Sequence, residues 1–492
     1  MDRLAEAEDV LQKYYGYRSF KPIQKKAIES ILNHQDTLVV MPTGGGKSLC
    51  YQVPALLMDG LTLVISPLIS LMKDQVDQLV RLGIRAACIN SMLDSSQYQQ
   101  LCQQIQQKQV QILYVAPERL RSGEFLSLLR RQKVALVAVD EAHCVSQWGH
   151  DFRPSYYSIS QFIRSLPTRP VVAAFTATAT AETREDIIRR LDLQRPNLYR
   201  ASFNRSNLIL SVQRDGNRKE ALLQFVQAHK GQSGIIYCNT RKEVDKVWDM
   251  LRRSGISVLR YHGGMEDWER NENQEKFIYE KVDLIVATNA FGMGINKPDV
   301  RYVVHYNLPK NIESYYQEIG RAGRDGLPSL CVLFFSYSDV HVNRYLLEQS
   351  SKAEDRLAVE LDKLDAMVQY ASTHRCLRQY ILQYFGEKAD SHCQGCSNCC
   401  EVSLGKPVIQ HPAEELLNEL KAVRLMLAID EGVPSYHILS DETLQELSSK
   451  QPVSPIALAK ITGMGENKIE RYGEILLKTI SQYQQNVYNK KQ

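Results

Sequence analysis

The stretch MPTGGGKS, residues 41 to 48, follows the apolar run TLVV and precedes a helix-compatible segment. A glycine-rich turn in that position lets backbone N–H groups close around phosphates. Thr43, Gly44, Gly45 and Gly46 would form the loop, Lys47 would reach the terminal phosphates of ATP, and the Ser48 hydroxyl would take Mg²⁺. The strict pattern has Gly where Met41 stands, so an incidental glycine-rich turn is the competing reading. That reading recedes once a second acidic motif is counted. The apolar run Val134 to Val139 delivers Asp140 and Glu141, placed to hold Mg²⁺ through its waters and to polarise an attacking water. Together the two motifs predict an ATPase.

Hydrolysis also needs positive charge opposite the γ-phosphate, where negative charge spreads in the transition state. QEIGRAGRDG, residues 317 to 326, offers Arg321 and Arg324, expected three apart on one helical face. Two arginines in isolation would suit a solvated basic face better; a two-lobe architecture is what favours an arginine finger. Trp148, His150, Phe152 and Arg153 follow closely behind the acidic pair. Trp148 and Phe152 can stack on bases, while His150 and Arg153 can meet phosphate or bridge to the acidic pair. Tyr156 and Tyr157 fit better as packing residues. Five of the eleven cysteines fall between 376 and 400: Cys376, Cys393, Cys396, Cys399 and Cys400. A Cys-x-x-Cys-x-x-Cys run wraps one ion, and Cys376, expected on a helix, would complete a tetrahedron. Zinc suits four thiolates, and so does an iron–sulfur cluster; Cys400 is a spare candidate ligand.

Elements must position these groups. Apolar runs at DTLVV, LTLVISP, QILYVAP, VALVAVD and VVAAFTAT read as buried strands of a parallel sheet. The rhythm restarts after about residue 205 with SGIIYCNTR, SVLRYHG, VDLIVATN, VRYVVHYN and SLCVLFF. Two α/β lobes are expected, with a cleft between them, so that an arginine of one lobe reaches ATP on the other when they close. Residues 353 to 385 read as helical, ending at Gly386, and SLGKPVIQHP reads as a linker. Leu416, Leu420, Val423 and Leu427 then recur at helical spacing, so the last 80 residues read as a small helical domain. A chain of 492 residues divides into several domains, and its net charge of +4 does not by itself announce a nucleic-acid binder. The acidic, polar start resembles no signal peptide, and no apolar run approaches a bilayer span of about 20 residues. A cytoplasmic protein with no membrane contact is expected, and the clustered cysteines argue for a metal in a reducing compartment.

GYRSFKPIQ, MPTGGGKSLCYQ, SPLISLMKDQV, YVAPERL, DEAHCVSQWGHDFRP, FTATAT, GIIYCNTR, VATNAFGMGINKP and ESYYQEIGRAGRDG resemble the ordered motifs of the RecQ family of superfamily 2 DNA helicases. The resemblance implies an α/β fold of two RecA-like lobes, residues 1–205 and 206–340. It further implies a helical zinc module over 341–402, a linker over 403–412 and an HRDC-like helical domain over 413–492. It implies that Tyr17 stacks on adenine, that Gln24 reads its edge, and that Gln317 lies in the arginine motif. Lys21 stands where the family usually has Arg, and lysine lacks the planar fork. Trp148, His150, Phe152 and Arg153 would form the loop that senses single-stranded DNA, with Thr176 and Thr178 coupling ATP state to lobe movement. Lys73, Asn289 and Arg301 lie in motifs that line the DNA path in relatives. The cofactors implied are ATP, Mg²⁺ and Zn²⁺, with Cys376, Cys393, Cys396 and Cys399 as zinc ligands. The activity implied is ATP-dependent 3′ to 5′ unwinding of tailed duplex by a monomer, in recombination and repair. The motifs alone would equally suit RNA. Rival readings are a DNA-stimulated translocase that unwinds weakly, and an ATP-switched repair scaffold whose helical tail recruits other proteins. In most bacterial relatives a winged-helix domain of roughly a hundred residues follows the zinc module; here only the linker follows. In the helical domain, Gly463 and Gly465 would open N–H groups to a DNA phosphate beside Lys468 and Arg471. Its surplus of acidic over basic residues leaves protein contact as an equal alternative.

Overall fold

The structure, a computed structural model, describes residues 3–89, 93–146, 152–214, 216–292, 297–350, 354–405 and 414–490. Trp148 and His150 therefore lie outside the described residues. Two compact units are present, Met1–Ser202 with Ser449–Gln492, and Phe203–Ser448.

The first unit is built on strands β1 (Thr37–Val40), β2 (Leu61–Ile65), β3 (Ala86–Ile89), β4 (Ile112–Val115), β5 (Val134–Val139), β6 (Val171–Thr176) and β7 (Asn197–Arg200). They form one sheet in the order β3-β4-β2-β5-β6-β1-β7, with every pairing parallel. Strands covered on both faces carry unbroken apolar sequence, because no face is left for water. That is why β1, β2, β4, β5 and β6 were legible. The edge strands β3 and β7 were not, since their sequences, AACI and NLYR, are only partly buried or exposed. Helices α1 (Pro22–Leu32), α2 (Leu49–Leu57) and α3 (Ala181–Arg190) pack against this sheet or its loops. Ile28 and Ile31 of α1 and Val53 of α2 share a core with Phe175 of β6, whose ring meets Tyr51 edge-on at 5.3 Å.

The second unit holds β8 (Leu208–Gln213), β9 (Gly234–Tyr237), β10 (Leu259–Tyr261), β11 (Leu284–Ala287), β12 (Tyr302–His305) and β13 (Ser329–Phe334). Their order is β10-β11-β9-β12-β13-β8, again all parallel. Helices α4 (Ile312–Ile319), α5 (Tyr337–Ser350), α6 (Glu354–Ser372), α7 (Leu377–Tyr384) and α8 (Glu414–Glu431) complete the parts used below. The stretch 353–385, expected as helical throughout, is two helices broken between Ser372 and Leu377. Gly386, in the left-handed conformation usual for a helix terminator, closes α7 with φ 76°. The cysteine-rich loop adds itself to the edge strand: Leu210 N–H donates to Gly395 O (3.0 Å) and Ser397 N–H to Leu210 O (2.9 Å). Arg378 of α7 donates to Arg205 O (2.6 Å) and to Leu208 O, and Phe385 stacks on Phe203 at 4.3 Å.

The division between units falls inside the carboxy-terminal helical stretch. In the second unit, Arg424 of α8 is buried and donates to Asp441 Oδ1 (2.6 Å) and Leu439 O (3.1 Å), with Glu280 at 3.8 Å. In the first unit the turn at Gly463–Gly465 packs on Gly16, where an added Cβ would stand 2.6 Å from Gly465 N.

Candidate ATP, DNA-coupling and metal sites

Ligands of open parallel sheets bind outside the carboxyl ends of the strands. The order β5-β6-β1 brings three such ends side by side, and with them Asp140–Glu141, Thr176–Thr178 and the loop Thr43–Ser48. Pairing continues past the strands, as Met41 N–H donates to Thr176 O (3.0 Å) and Asp140 N–H to Ile65 O (2.9 Å). The loop is shaped by its glycines. Gly44 and Gly46 take φ of 79° and 85°, a left-handed backbone that other residues rarely adopt. A Cβ on Gly46 would collide with Gln24 Nε2, and one on Gly45 with the Met41 side chain. Met41, at the position where the strict pattern has Gly, thus packs beneath the loop. Lys47 Nζ donates to Met41 O (3.3 Å) across the loop, and Ser48 immediately precedes α2.

Gln24 is buried and braces the same loop. Its Nε2 donates to Gly45 O and Gly46 O (3.2 Å each), and its Oε1 accepts from Lys21 N–H (2.9 Å) at the start of α1. Tyr17, just past the left-handed Gly16, keeps 38 % of its surface exposed.

Burial pushes the Asp140 carboxyl up to about 7, helped by Glu141 beside it and opposed by Lys47. A buried carboxylate that rises this far favours a cation beside it. Glu141 has φ 46° and ψ 48°, and its N–H donates to Asp140 Oδ1 (3.0 Å). A non-glycine residue in this left-handed region is strained, as functional positions often are.

His143 went unread in the sequence, and the structure puts it at the centre. Its Nδ1 is 3.3 Å from Glu141 Oε2 and 2.9 Å from Thr176 Oγ1. The Thr176 hydroxyl donates to Thr178 O (3.1 Å), so Nδ1 carries the proton and donates to Thr176. Burial, with Lys47 and Arg153, pushes this imidazole down to about 3, and the ring is neutral. The signal was present in the DEAH spelling, but its partner, 33 residues away, was not. Arg153 Nη1 donates to Pro67 O (3.1 Å), beyond the end of β2, and Phe152 packs on Tyr157 with centroids 5.3 Å apart. Tyr156 is buried and its hydroxyl donates to Asp140 O (3.0 Å).

In the second unit, α4 carries Gln317 and ends at Ile319, so Arg321 and Arg324 do not share a helical face. They lie in the turn that follows, where Gly323 at φ 54° bends the chain away from the helix. Arg321 is buried and donates to Gly292 O. Arg205, also unread in the sequence, donates to Gly320 O (3.3 Å), Ala322 O (3.0 Å) and Gly323 O (2.5 Å) and so fixes the turn. Burial, then Arg321 and Arg205, pushes the Arg324 guanidinium down to about 9. An arginine stays charged at neutral pH, and three such charges held together favour an anion. Of the three residues placed on the DNA path, Asn289 is exposed beyond β11, Lys73 lies on the helix Ile69–Arg81, and Arg301 pairs with Asp325.

The sulfurs of Cys376, Cys393, Cys396 and Cys399 lie within 4.8 Å of one another, with Cys376 and Cys396 4.0 Å apart. Thiolates about 2.3 Å from one zinc ion stand roughly 3.8 Å apart, so this cluster fits it. Cys376 caps α7 rather than lying within a helix, and its sulfur accepts from Gln379 N–H (3.4 Å). Cys400 is exposed, and its sulfur donates to Cys396 O (3.4 Å), away from the cluster. Burial raises the Cys396 thiol, but hydrogen bonds from Leu377, Asn398 and its cysteine neighbours outweigh it and lower it to about 7.

Comparison with known proteins decides the family. Domain-family models match in sequence: DEAD/DEAH box helicase over residues 21–187, helicase conserved C-terminal domain over 217–326, RecQ zinc-binding over 337–400 and HRDC domain over 413–480. The ATP-dependent DNA helicase RecQ of Bacillus subtilis (strain 168) is 38% identical over 586 residues, covering 98% of this chain and 99% of that protein. The chain belongs to the RecQ family. It is an ATP-dependent DNA helicase. The RecQ helicase of Haemophilus influenzae is 47% identical over 396 residues, 80% of this chain and 64% of that one. The fold is shared with a Mycobacterium smegmatis helicase, Lhr, solved with single-stranded DNA and AMP-PNP (TM-score 0.55, 20% identity, 75% of this chain and 57% of that one). It is shared too with the helicase MrfA bound to DNA (TM-score 0.56, 19% identity, 78% and 57%). The parts run as two parallel-sheet lobes, a zinc-binding region and an HRDC domain, and DNA is the partner. No helix among the described residues is long and apolar enough to cross a membrane.

Proposed function

We propose that this helicase hydrolyses ATP with Mg²⁺ at the carboxyl ends of β5, β6 and β1 and moves 3′ to 5′ along single-stranded DNA in recombination and repair. The observation that carries this reading is the juxtaposition of Lys47, Asp140 and Glu141 with the His143–Thr176 bond. The backbone of Thr43–Gly46 and the Lys47 ammonium would hold the phosphates, and Ser48 and Asp140 would hold Mg²⁺, whose charge would offset theirs. Glu141 would take the proton of the attacking water as the bond to ADP breaks, and Arg321 and Arg324 would offset the negative charge that spreads over the γ-phosphate oxygens. Tyr17, Lys21, Gln24 and Gln317 set the base and the trigger. A Gln24 amide engaged with the loop would make base recognition and phosphate grip interdependent. Thr176 and Thr178, tied to Glu141 through His143, relay nucleotide state, and Trp148, His150, Phe152 and Arg153 report the strand. The four cysteines would hold Zn²⁺ and so tie their loop to the start of α7, while Gly395 and Ser397 join it to β8. A monomer working in the cytoplasm, where its DNA is, completes the reading, with the helical tail as a contact for other repair proteins.

A second reading, a translocase that unwinds weakly, is favoured by the interval between the zinc and HRDC matches. Residues 401–412 leave no room for a domain of roughly a hundred residues. The Bacillus match likewise runs over 586 residues, more than the 492 of this chain. Strand displacement on duplexes with a 3′ or a 5′ single-stranded tail, beside Lys47→Ala, separates the two. Displacement confined to the 3′-tailed duplex and lost in Lys47→Ala is expected. DNA-stimulated hydrolysis without displacement would establish the translocase instead.

A further inference from the structure

Gln52 lies on α2 one helical turn beyond Ser48, and its N–H donates to Ser48 O (2.9 Å). It is 4 % exposed, between Tyr51 and Val53 of the apolar core. Its side-chain amide is engaged at both ends. Oε1 accepts from the Tyr15 hydroxyl (3.0 Å), and the two hydrogens of Nε2 go to Gln75 Oε1 and to the Tyr114 hydroxyl (3.1 Å each). Gln75 and Tyr114 are buried as well. The three partners come from three other elements of the first unit. Tyr15 closes the turn Leu11–Tyr15, which ends at the left-handed Gly16 and leads into Tyr17. Gln75 stands two residues after Lys73 on the helix Ile69–Arg81, and Tyr114 lies in β4.

None of these groups has a part in the chemistry described above, and packing does not require them. Burying an amide is costly unless it is hydrogen-bonded, and apolar side chains of like size would fill the same space. What the polar bonds add is register. Apolar contacts tolerate sliding, whereas a hydrogen bond weakens as its partners turn out of line, and a satisfied buried network is rigid. The helix α2 continues directly from Lys47 and Ser48. A displacement at the phosphate loop is therefore passed through one side chain to the helix Ile69–Arg81, to β4 and to the segment before Tyr17.

We propose that Gln52 is a positioning residue that links nucleotide grip to strand grip within the first unit. Through Tyr15 it holds the approach to Tyr17, and through Gln75 and Tyr114 it makes the helix bearing Lys73 and the end of β4 move with the phosphate loop. The inference rests on the reading that Lys47 meets the phosphates of ATP and that Lys73 lies on the DNA path.

The test uses the full chain and a fluorescently labelled single-stranded oligonucleotide. Its dissociation constant is measured without nucleotide and with saturating Mg²⁺ and AMP-PNP, and the ratio of the two is the coupling factor. Linked sites differ by a factor of about 5 to 150, and the parent should fall in that range. Gln52→Met keeps the length of the side chain and removes all three bonds; Tyr114→Phe removes one hydroxyl and nothing else. In both, the factor should fall to within about twofold of one, while oligonucleotide affinity without nucleotide and AMP-PNP affinity without DNA stay within about threefold of the parent. Should Gln52→Met not fold, Tyr114→Phe alone decides. A merely structural network would lower the urea midpoint and leave the coupling factor where it was, and that result in the folded variants overturns the proposal. A parent factor near one overturns it too. Lys73→Ala separates the inference from the reading beneath it. If Lys73→Ala weakens binding of the oligonucleotide while the network variants keep the parent factor, the inference alone fails. If Lys73→Ala leaves binding unchanged, the placement of Lys73 on the DNA path fails and the inference falls with it.

Discussion

Glu141 and the arginines are where single atoms decide the outcome. Glu141 sits in a strained left-handed conformation, with its Oε2 3.3 Å from the neutral His143 ring. On the reading proposed above, replacing its carboxylate by an amide keeps the shape and removes the base. Glu141→Gln is expected to bind nucleotide as tightly as the parent and to lower turnover by at least about a hundredfold. Single-turnover hydrolysis within tenfold of the parent would refute that role. Several of these positions were legible as spelling: Gly-Lys-Ser after an apolar strand, two acids after another, cysteines three apart. His143 and Arg205 were not, because their partners lie 33 and more than 110 residues away and only the sheet order brings them together.

Elements set the environment that gives those atoms their properties. His143 is held neutral with its pKa pushed down to about 3, against about 6.5 in an unfolded chain. Between those values the unfolded chain takes up a proton that the folded chain refuses, so stability is lost as pH falls from about 6.5 towards 3. At pH 5 the contribution is about 2 kcal/mol. Asp140, raised in the fold, titrates in the opposite sense, while Glu141, Cys144 and Thr176 also face the ring. The comparison is therefore between the parent and His143→Asn: the variant should lose less of its urea midpoint between pH 7 and pH 5. Equal slopes would contradict the account. The cysteine loop gives a second test at this scale. Cys400→Ser should keep bound metal and melting temperature, because its sulfur turns away from the cluster. Cys399→Ser should lose the metal and unfold at lower temperature, since ion binding and loop folding are one process. Metal analysis that found both variants equal would remove Cys399 from the site.

Across the whole molecule, stability depends on charges buried far from the chemistry. Arg424 and Asp441 form a buried pair 2.6 Å apart beside Glu280. Removing one partner strands the other, so Asp441→Ala should cost about 3 kcal/mol in chemical unfolding of the second unit. A loss below about 1 kcal/mol would mean that water reaches Arg424. The Leu416, Leu420, Val423 and Leu427 pattern located this helix, and Arg424, four residues after Leu420, lies on its buried side with Leu417 and Ala428. What no helical periodicity encodes is its partners, Asp441 and Glu280, which packing brings to it.

The sequence by itself determined that this is a two-lobe ATPase with a four-cysteine metal module and a helical tail. Strands buried on both faces must be apolar throughout, phosphate loops must be glycine-rich, and metal loops must space their thiols. Tertiary structure alone decided the edge strands β3, β7 and β8, the turn that holds Arg321 and Arg324 beyond α4, and the choice of Cys399 over Cys400. It also decided the tie from His143 to Thr176. Each of these depends on which strand lies beside which, and that order is fixed by packing between residues far apart in the chain.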